Sequence, residues 1–278
     1  MEIIVGKTAG FCGGVKLSVD KTKELLNSNS NYYCLGELVH NNEVITELED
    51  KGLKIVNSLD EVDDNSTVIV RAHGIAKEVY EEAERRGINL IDLTCPKVLR
   101  IHELVKKDNS LILLFGKIDH PEIIGTISFC NNGIVVDSTD DLDKVISYIK
   151  NNNIKEVSVY TQTTYSLDKY NELINYLEER LTDIKLNINN NICDATRTRQ
   201  SETRELAGKV DLMIIIGGKN SSNTKKLYEI ASSITKTYII ETIKDLKDKD
   251  INFNKIGIMA GASTPKSSID ECINFLKG

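Results

Sequence analysis

"AGFCGGVKLSV", Ala9 to Val19, places one thiol among glycines where an apolar strand pattern ends and a helical pattern begins. Gly10, Gly13 and Gly14 let the backbone turn sharply around Cys12 and leave room for something bulky. A helix start also offers free N–H groups and a positive dipole end, which favour a thiolate. Two more cysteines share this setting: "INLIDLTC" runs into Cys95 and "IKLNINNNIC" into Cys193, and a helical pattern follows each. The gaps are 83 and 98 residues, with 85 residues after Cys193.

The repeat extends beyond the cysteines. A glycine closes a short strand 21 to 24 residues after each one: "YYCLG" at Gly36, "LILLFG" at Gly116 and "LMIIIG" at Gly217. Four residues past each glycine stands a polar residue, His40, His120 or Ser221. After a further 33 to 43 residues another apolar run ends in a polar turn: "TVIVRAHG" with His73, "VSVYTQTT" with Thr163 and "IGIMAGAST" with Ser263. Amphipathic stretches such as "YSLDKYNELINYLEERL" fill the intervals. Strands alternating with helices predict an α/β fold of parallel sheets flanked by helices, with ligands beyond the strand carboxyl ends.

The third unit ends after "KIGIMAGAST" and one helix, without the strand that should lead to a cysteine; "EIIV" ahead of Cys12 supplies it. The expected architecture is three similar lobes in pseudo-threefold arrangement around a centre. They cover residues 13–95, 96–192 and 193–278, the last completed by residues 1–12.

Composition narrows the classes. The net charge of −7 argues against a nucleic-acid binder, which needs a basic surface. No apolar run approaches the ~20 residues of a membrane helix, and no signal peptide is evident. Six cysteines without a CxxC pair and without a secretion signal read as thiols or metal ligands in a cytoplasmic protein. Cys34, Cys130 and Cys272 read as inert, small hydrophobes in strand or helix patterns.

A common centre would gather Cys12, Cys95 and Cys193, which could hold zinc or an iron–sulfur cluster. Structural zinc takes a fourth ligand, and only a Cys95–His102 pair across a helix would supply a near neighbour. Clusters usually take four cysteines. Three would leave an open metal position for a substrate. Around this centre fall His40, His73, His120, Thr163, Ser221, Asn223 and Ser263, donors suited to an anion with several oxygens. His102 lies within a helix pattern and receives no role. Glu122 follows Pro121 at a helix start, where a carboxylate most often complements the dipole; near an anion and away from water it would also suit a general acid. An electron carrier with a cluster but no substrate, or a zinc-stabilised module for a phosphorylated small molecule, would satisfy part of this pattern.

"GFCGGV", "GELVHNNEV", "RAHGI", "DLTCPKV", "DHPEIIGT", "TQTT", "ICDATRTRQ", "NSSNT" and "AGASTP" resemble, in order, the motifs of the 4-hydroxy-3-methylbut-2-enyl diphosphate reductases, the LytB family. The resemblance spans about residues 6 to 267. It implies a three-lobed α/β fold around a [4Fe–4S] cluster held by Cys12, Cys95 and Cys193, with one iron free for the substrate hydroxyl. It further implies diphosphate binding by His40, His73, Ser221, Ser222, Asn223 and Ser263. His120, Thr163 and Glu122 would lie at the hydroxyl end, Glu122 delivering protons. Two electrons from a carrier such as ferredoxin or flavodoxin would break the C–OH bond, giving isopentenyl and dimethylallyl diphosphate in the last step of the methylerythritol phosphate route. A ring that completes itself implies a monomer. Three positions depart from the family pattern, Leu93, Lys97 and Asp119, and the Asp119 charge is expected to bear on the proton affinity of Glu122.

Overall fold

A computed structural model describes residues 1–27 and 32–278 of the chain. The described residues begin with β1 (Glu2–Val5), α1 (Gly13–Leu26), β2 (Tyr32–Leu35), α2 (Asn42–Asp50), β3 (Leu53–Val56), β4 (Thr67–Val70), α3 (Lys77–Arg85) and β5 (Asn89–Asp92). The middle of the chain forms α4 (Pro96–Lys107), β6 (Leu111–Phe115), α5 (Pro121–Ser128), β7 (Gly133–Val136), α6 (Thr139–Asn151), β8 (Glu156–Thr161), α7 (Leu167–Arg180) and β9 (Lys185–Ile188). The last part is α8 (Asp194–Ala207), β10 (Leu212–Ile216), α9 (Ser222–Ser232), β11 (Lys236–Ile240), β12 (Lys255–Ala260) and α10 (Lys266–Lys277).

These elements divide into two compact units, residues 1–55 with 194–278, and residues 56–193. The first unit contains a four-stranded sheet in the order β1-β12-β10-β11. All its pairings are parallel, and the chain start lies in it: Glu2 stands opposite Lys255 and Val5 opposite Ile258. The second unit contains the sheet β7-β6-β8-β9, also parallel throughout. Also in the second unit, β4 and β5 pair parallel, Thr67 opposite Asn89.

Strand composition follows position in the sheet. β6 (LILLF) and β10 (LMIII) are central and buried along their whole length, as parallel strands with covered faces must be. Alternation assigns their side chains to opposite layers. Leu111, Leu113 and Phe115 join the core against α6 and α7, while Ile112 and Leu114 pack toward α4 and α5. In the first unit Leu212, Ile214 and Ile216 face α10, and Met213 and Ile215 face α8 and α9. The edge strands β1, β5 and β9 are only partly buried.

The helices present one stripe each. α7 buries Tyr170, Leu173, Ile174 and Leu177, and α4 buries Val98, Ile101, His102 and Val105, both at the i, i+3, i+4, i+7 spacing of an amphipathic helix. The units differ where β7 or β11 leads back into its sheet. The second uses the full helix α6; the first makes only a short 3₁₀ turn at Ile243–Leu246. No helix among the described residues is long and apolar enough to cross a membrane.

Candidate active site

The candidate residues lie in turns and first helical turns beyond strand carboxyl ends, and the backbone ties each cysteine to one of those turns. In the first unit the Cys12 N–H donates to the carbonyl of Ala262, the residue before Ser263, at 3.1 Å. In the second unit the Cys95 N–H donates to Ala72, the residue before His73, at 3.0 Å. There too the Cys193 N–H donates to the carbonyl of Thr163 itself, at 3.0 Å. Three loops of unrelated sequence therefore share one tether. Cys12 and Cys95 occupy the N-cap positions of α1 and α4, and Cys193 directly precedes α8.

The three cysteines are partly accessible and stand at helix starts, so the donor set suits a metal centre that needs thiolates at helix N-termini. The other three differ. Cys34 and Cys272 are fully buried. Burial pushes the thiols of Cys130 and Cys272 up to about 12, away from the thiolate a metal requires.

The second unit carries the acid. Glu122 sits in the first turn of α5 yet is only 2% exposed, so its carboxyl lies inside the protein rather than complementing a dipole in water. The Thr163 N–H donates to Glu122 Oε1 at 2.6 Å and the Thr163 hydroxyl to Oε2 at 2.8 Å. Burial pushes the carboxyl up to about 7, against the two Thr163 bonds, which favour its ionised form. Thr163 thus holds Glu122 through its N–H and Cys193 through its carbonyl. Asp119 is exposed, whereas Glu122, three residues on, is buried.

His120 caps α5: the Glu122 N–H donates to its Nδ1 at 3.1 Å, which leaves the proton of the neutral ring on Nε2. The His73 and His120 rings meet edge to face, 5.5 Å between centroids. Gly74 follows His73 at φ +77°, and a side chain there would meet His102 Cε1 at 3.0 Å. His102 itself stacks on Phe129 beneath this turn, and burial lowers its affinity for protons to about 4.

The first unit carries the remaining polar donors. The Ser263 hydroxyl donates to the His40 carbonyl at 3.2 Å, and His40 Nδ1 stands 3.5 Å from Glu37 Oε2. Asn41, not His40, caps α2, accepting from the Val44 N–H at 3.2 Å. Ser221 caps α9, its hydroxyl accepting from the Thr224 N–H at 3.3 Å. Gly218, in the turn before Ser221, packs so closely that a Cβ would lie 2.4 Å from the His40 carbonyl oxygen. Ser222 is partly buried at the first position of α9.

Asn223 is buried, and its Nδ2 has no partner among the described residues. A buried amide donor without an acceptor costs about 1–3 kcal/mol, so a polar ligand at this position would restore what burial removed.

Residues 3–277 match the profile of the LytB protein family. The chain belongs to the LytB family. Its relatives include the 4-hydroxy-3-methylbut-2-enyl diphosphate reductase of Clostridioides difficile, 37% identical over 285 residues, covering 100% of this chain and 99% of that protein. The enzyme of the same name from Alkaliphilus oremlandii is 40% identical over 283 residues, covering 99% and 98%. Among solved structures, an E-1-hydroxy-2-methyl-but-2-enyl-4-diphosphate reductase from Plasmodium falciparum superposes with TM-score 0.92 at 30% identity, covering 100% of this chain and 88% of that one. A structure of (E)-4-hydroxy-3-methyl-but-2-enyl diphosphate reductase, described as the terminal enzyme of the non-mevalonate pathway, gives 0.72 at 35% identity, covering 100% and 99%. In this LytB chain two charged residues also stand against the approach to Cys12, Arg199 and Glu202, which the sequence reading passed over. Arg199 falls within "ATRTRQ" and Glu202 just after it, but the atoms they bind on the Cys12 approach belong to residues 7 to 10, far away in sequence.

Proposed function

We propose that this LytB chain is a 4-hydroxy-3-methylbut-2-enyl diphosphate reductase, removing the substrate hydroxyl to give isopentenyl and dimethylallyl diphosphate. The reaction consumes two electrons and two protons and releases water. Cys12, Cys95 and Cys193 would hold the [4Fe–4S] cluster, each at a boundary between two of the three lobes, residues 13–95, 96–192 and 193–278 with 1–12. When bound, the cluster supplies the electrons and a Lewis-acidic iron for the hydroxyl oxygen. A small iron–sulfur or flavin carrier such as ferredoxin or flavodoxin would deliver the electrons, and the chain would act as a cytoplasmic monomer.

The chain's own residues divide the remaining work. His40, His73, Ser221, Ser222, Asn223 and Ser263 hold the diphosphate by hydrogen bonds and, at the histidines, by positive charge once protonated. Asn223 Nδ2 has its donor free for this purpose. His120, with its proton on Nε2, donates to the substrate's oxygens. Glu122 holds a proton near neutral pH because burial disfavours its ionised form, and Thr163 stabilises the carboxylate once that proton has left. A group with a pKa near the working pH combines availability of the proton with the drive to release it.

The observation that carries this reading is the bridge through Thr163, which fixes a buried acid on one side and a candidate cluster cysteine on the other. The test is Glu122→Gln, assayed anaerobically with a chemical reductant. Loss of turnover with the brown cluster retained separates the acid from cluster binding. Turnover at the wild-type rate would remove Glu122 from the reaction.

A further inference from the structure

Residues 6 to 11 form the loop between β1 and Cys12. Strand β12 and the turn after it hold this loop on one side, through Gly6 N–H to the Ile258 carbonyl at 2.9 Å and Cys12 N–H to the Ala262 carbonyl at 3.1 Å. On the other side stands α8. Arg199 is 3% exposed, and its guanidinium donates from Nε to the Thr8 carbonyl at 2.9 Å and from Nη2 to the Gly10 carbonyl at 2.8 Å. One turn further along, Glu202 accepts from the Lys7 N–H at 2.6 Å, from the Thr8 N–H at 2.9 Å and from the Thr8 hydroxyl. Two opposite charges on one helix thus bind donors and acceptors of the same short loop.

The approaches to the other two cysteines carry local contacts of their own. The approach to Cys95 is held by a local turn in which Asp92 accepts from the Thr94 N–H at 2.9 Å. The approach to Cys193 is held by Asn191, whose N–H donates to Thr161 Oγ1 at 3.0 Å and whose side chain accepts from the Thr161 N–H. Arg199 and Glu202 stand six and nine residues after Cys193. The matching residues after Cys12 are Ser18 and Lys21, and after Cys95 they are Ile101 and Leu104. A buried guanidinium is costly unless its hydrogen bonds are made, so its presence at only one of three equivalent positions calls for a local task.

We propose that Arg199 and Glu202 are positioning residues for Cys12: they fix the chain from Lys7 to Gly10, and the grip of the Cys12 thiolate on the iron centre depends on them. This rests on the reductase reading for the identity of the metal centre, though not for the clamp itself. Outer partners that orient metal ligands typically contribute ten- to a hundredfold in affinity, and this clamp acts one residue further away through the backbone. Glu202→Gln keeps the shape but turns an NH2 group toward the Lys7 or Thr8 N–H donors. Arg199→Lys keeps the charge but loses the fork.

The experiment follows bleaching of the reconstituted cluster by an iron chelator and amide hydrogen exchange of residues 7–12, in wild type, both variants and the exposed control Lys209→Gln. The expected result is about tenfold faster bleaching in both clamp variants, faster exchange concentrated at residues 7–12, a fall in melting of the metal-free protein no larger than the lost hydrogen bonds explain, and no effect of the control. Wild-type bleaching rates in the variants, or faster exchange spread over the whole of β1 and α8 with a matching loss of stability, would overturn the proposal. A wild-type protein that takes up no cluster would defeat the reductase reading instead. The exchange arm on metal-free protein then decides the clamp, since unchanged exchange at residues 7–12 overturns it with or without iron.

Discussion

Replacing Glu122 by glutamine should make the protein more stable at alkaline pH and progressively less so, relative to wild type, as pH falls. In the unfolded chain a glutamate titrates near its ordinary 4.5, whereas burial in α5 moves it to about 7. Between those values the folded state binds the extra proton, so stability is full below pH 4.5 and falls as pH rises through 7. At about 1.36 kcal/mol per tenfold change in proton affinity, the penalty is at most about 3 kcal/mol at pH 8. Glutamine carries no charge and escapes it, while its carbonyl can still accept the Thr163 N–H. The difference between variant and wild type cancels every other titration common to both. Urea unfolding of the two proteins from pH 5 to pH 8 at constant ionic strength measures it. The variant should gain on wild type by about 2.5 kcal/mol across that range, most of it by pH 7. A difference independent of pH would refute the buried-acid assignment.

Further outcomes follow from the same geometry. The wild-type rate should fall about tenfold per pH unit above 7 as Glu122 loses its proton. Thr163→Val, which removes the hydroxyl bond to the carboxylate but keeps the N–H, should move that limb to higher pH. A pH–rate profile of each protein checks both statements. Gly218→Ala should raise KM about tenfold, roughly the ~1.4 kcal/mol of one hydrogen bond, because its methyl group would displace the His40 carbonyl that Ser263 holds. Cluster content should be unchanged, as steady-state kinetics and iron analysis together would show. Alanine at Cys12, Cys95 or Cys193 should lower iron content sharply. Alanine at the fully buried Cys34 should cost only the order of 1 kcal/mol of packing, with iron retained.

The parallel sheets were legible because fully buried strands leave apolar runs such as LILLF and LMIII, and because turn residues recur at similar distances past them. The cysteines and the histidine and serine turns could be found for the same reason: each sits at a fixed offset from a strand end. Glu122 was legible as a residue but not as an environment. A glutamate after proline at a helix start reads as a dipole partner, and only the packing of α5 and the turn at Thr163 shows that it is buried. The division into two compact units left no mark either, since no Pro- or Gly-rich linker separates residues 55 and 56. Arg199 and Glu202 escaped because the atoms they bind at residues 7 to 10, mostly backbone, lie more than 180 residues away in sequence, and backbone atoms carry no side-chain signature.

The decisive measurement is anaerobic turnover of the purified, iron-loaded protein with (E)-4-hydroxy-3-methylbut-2-enyl diphosphate and a chemical reductant, following both C5 diphosphate products. A brown protein that forms isopentenyl and dimethylallyl diphosphate at the expense of reductant is the expected result. A brown protein that consumes no substrate, or a protein that stays colourless after anaerobic reconstitution, would contradict it.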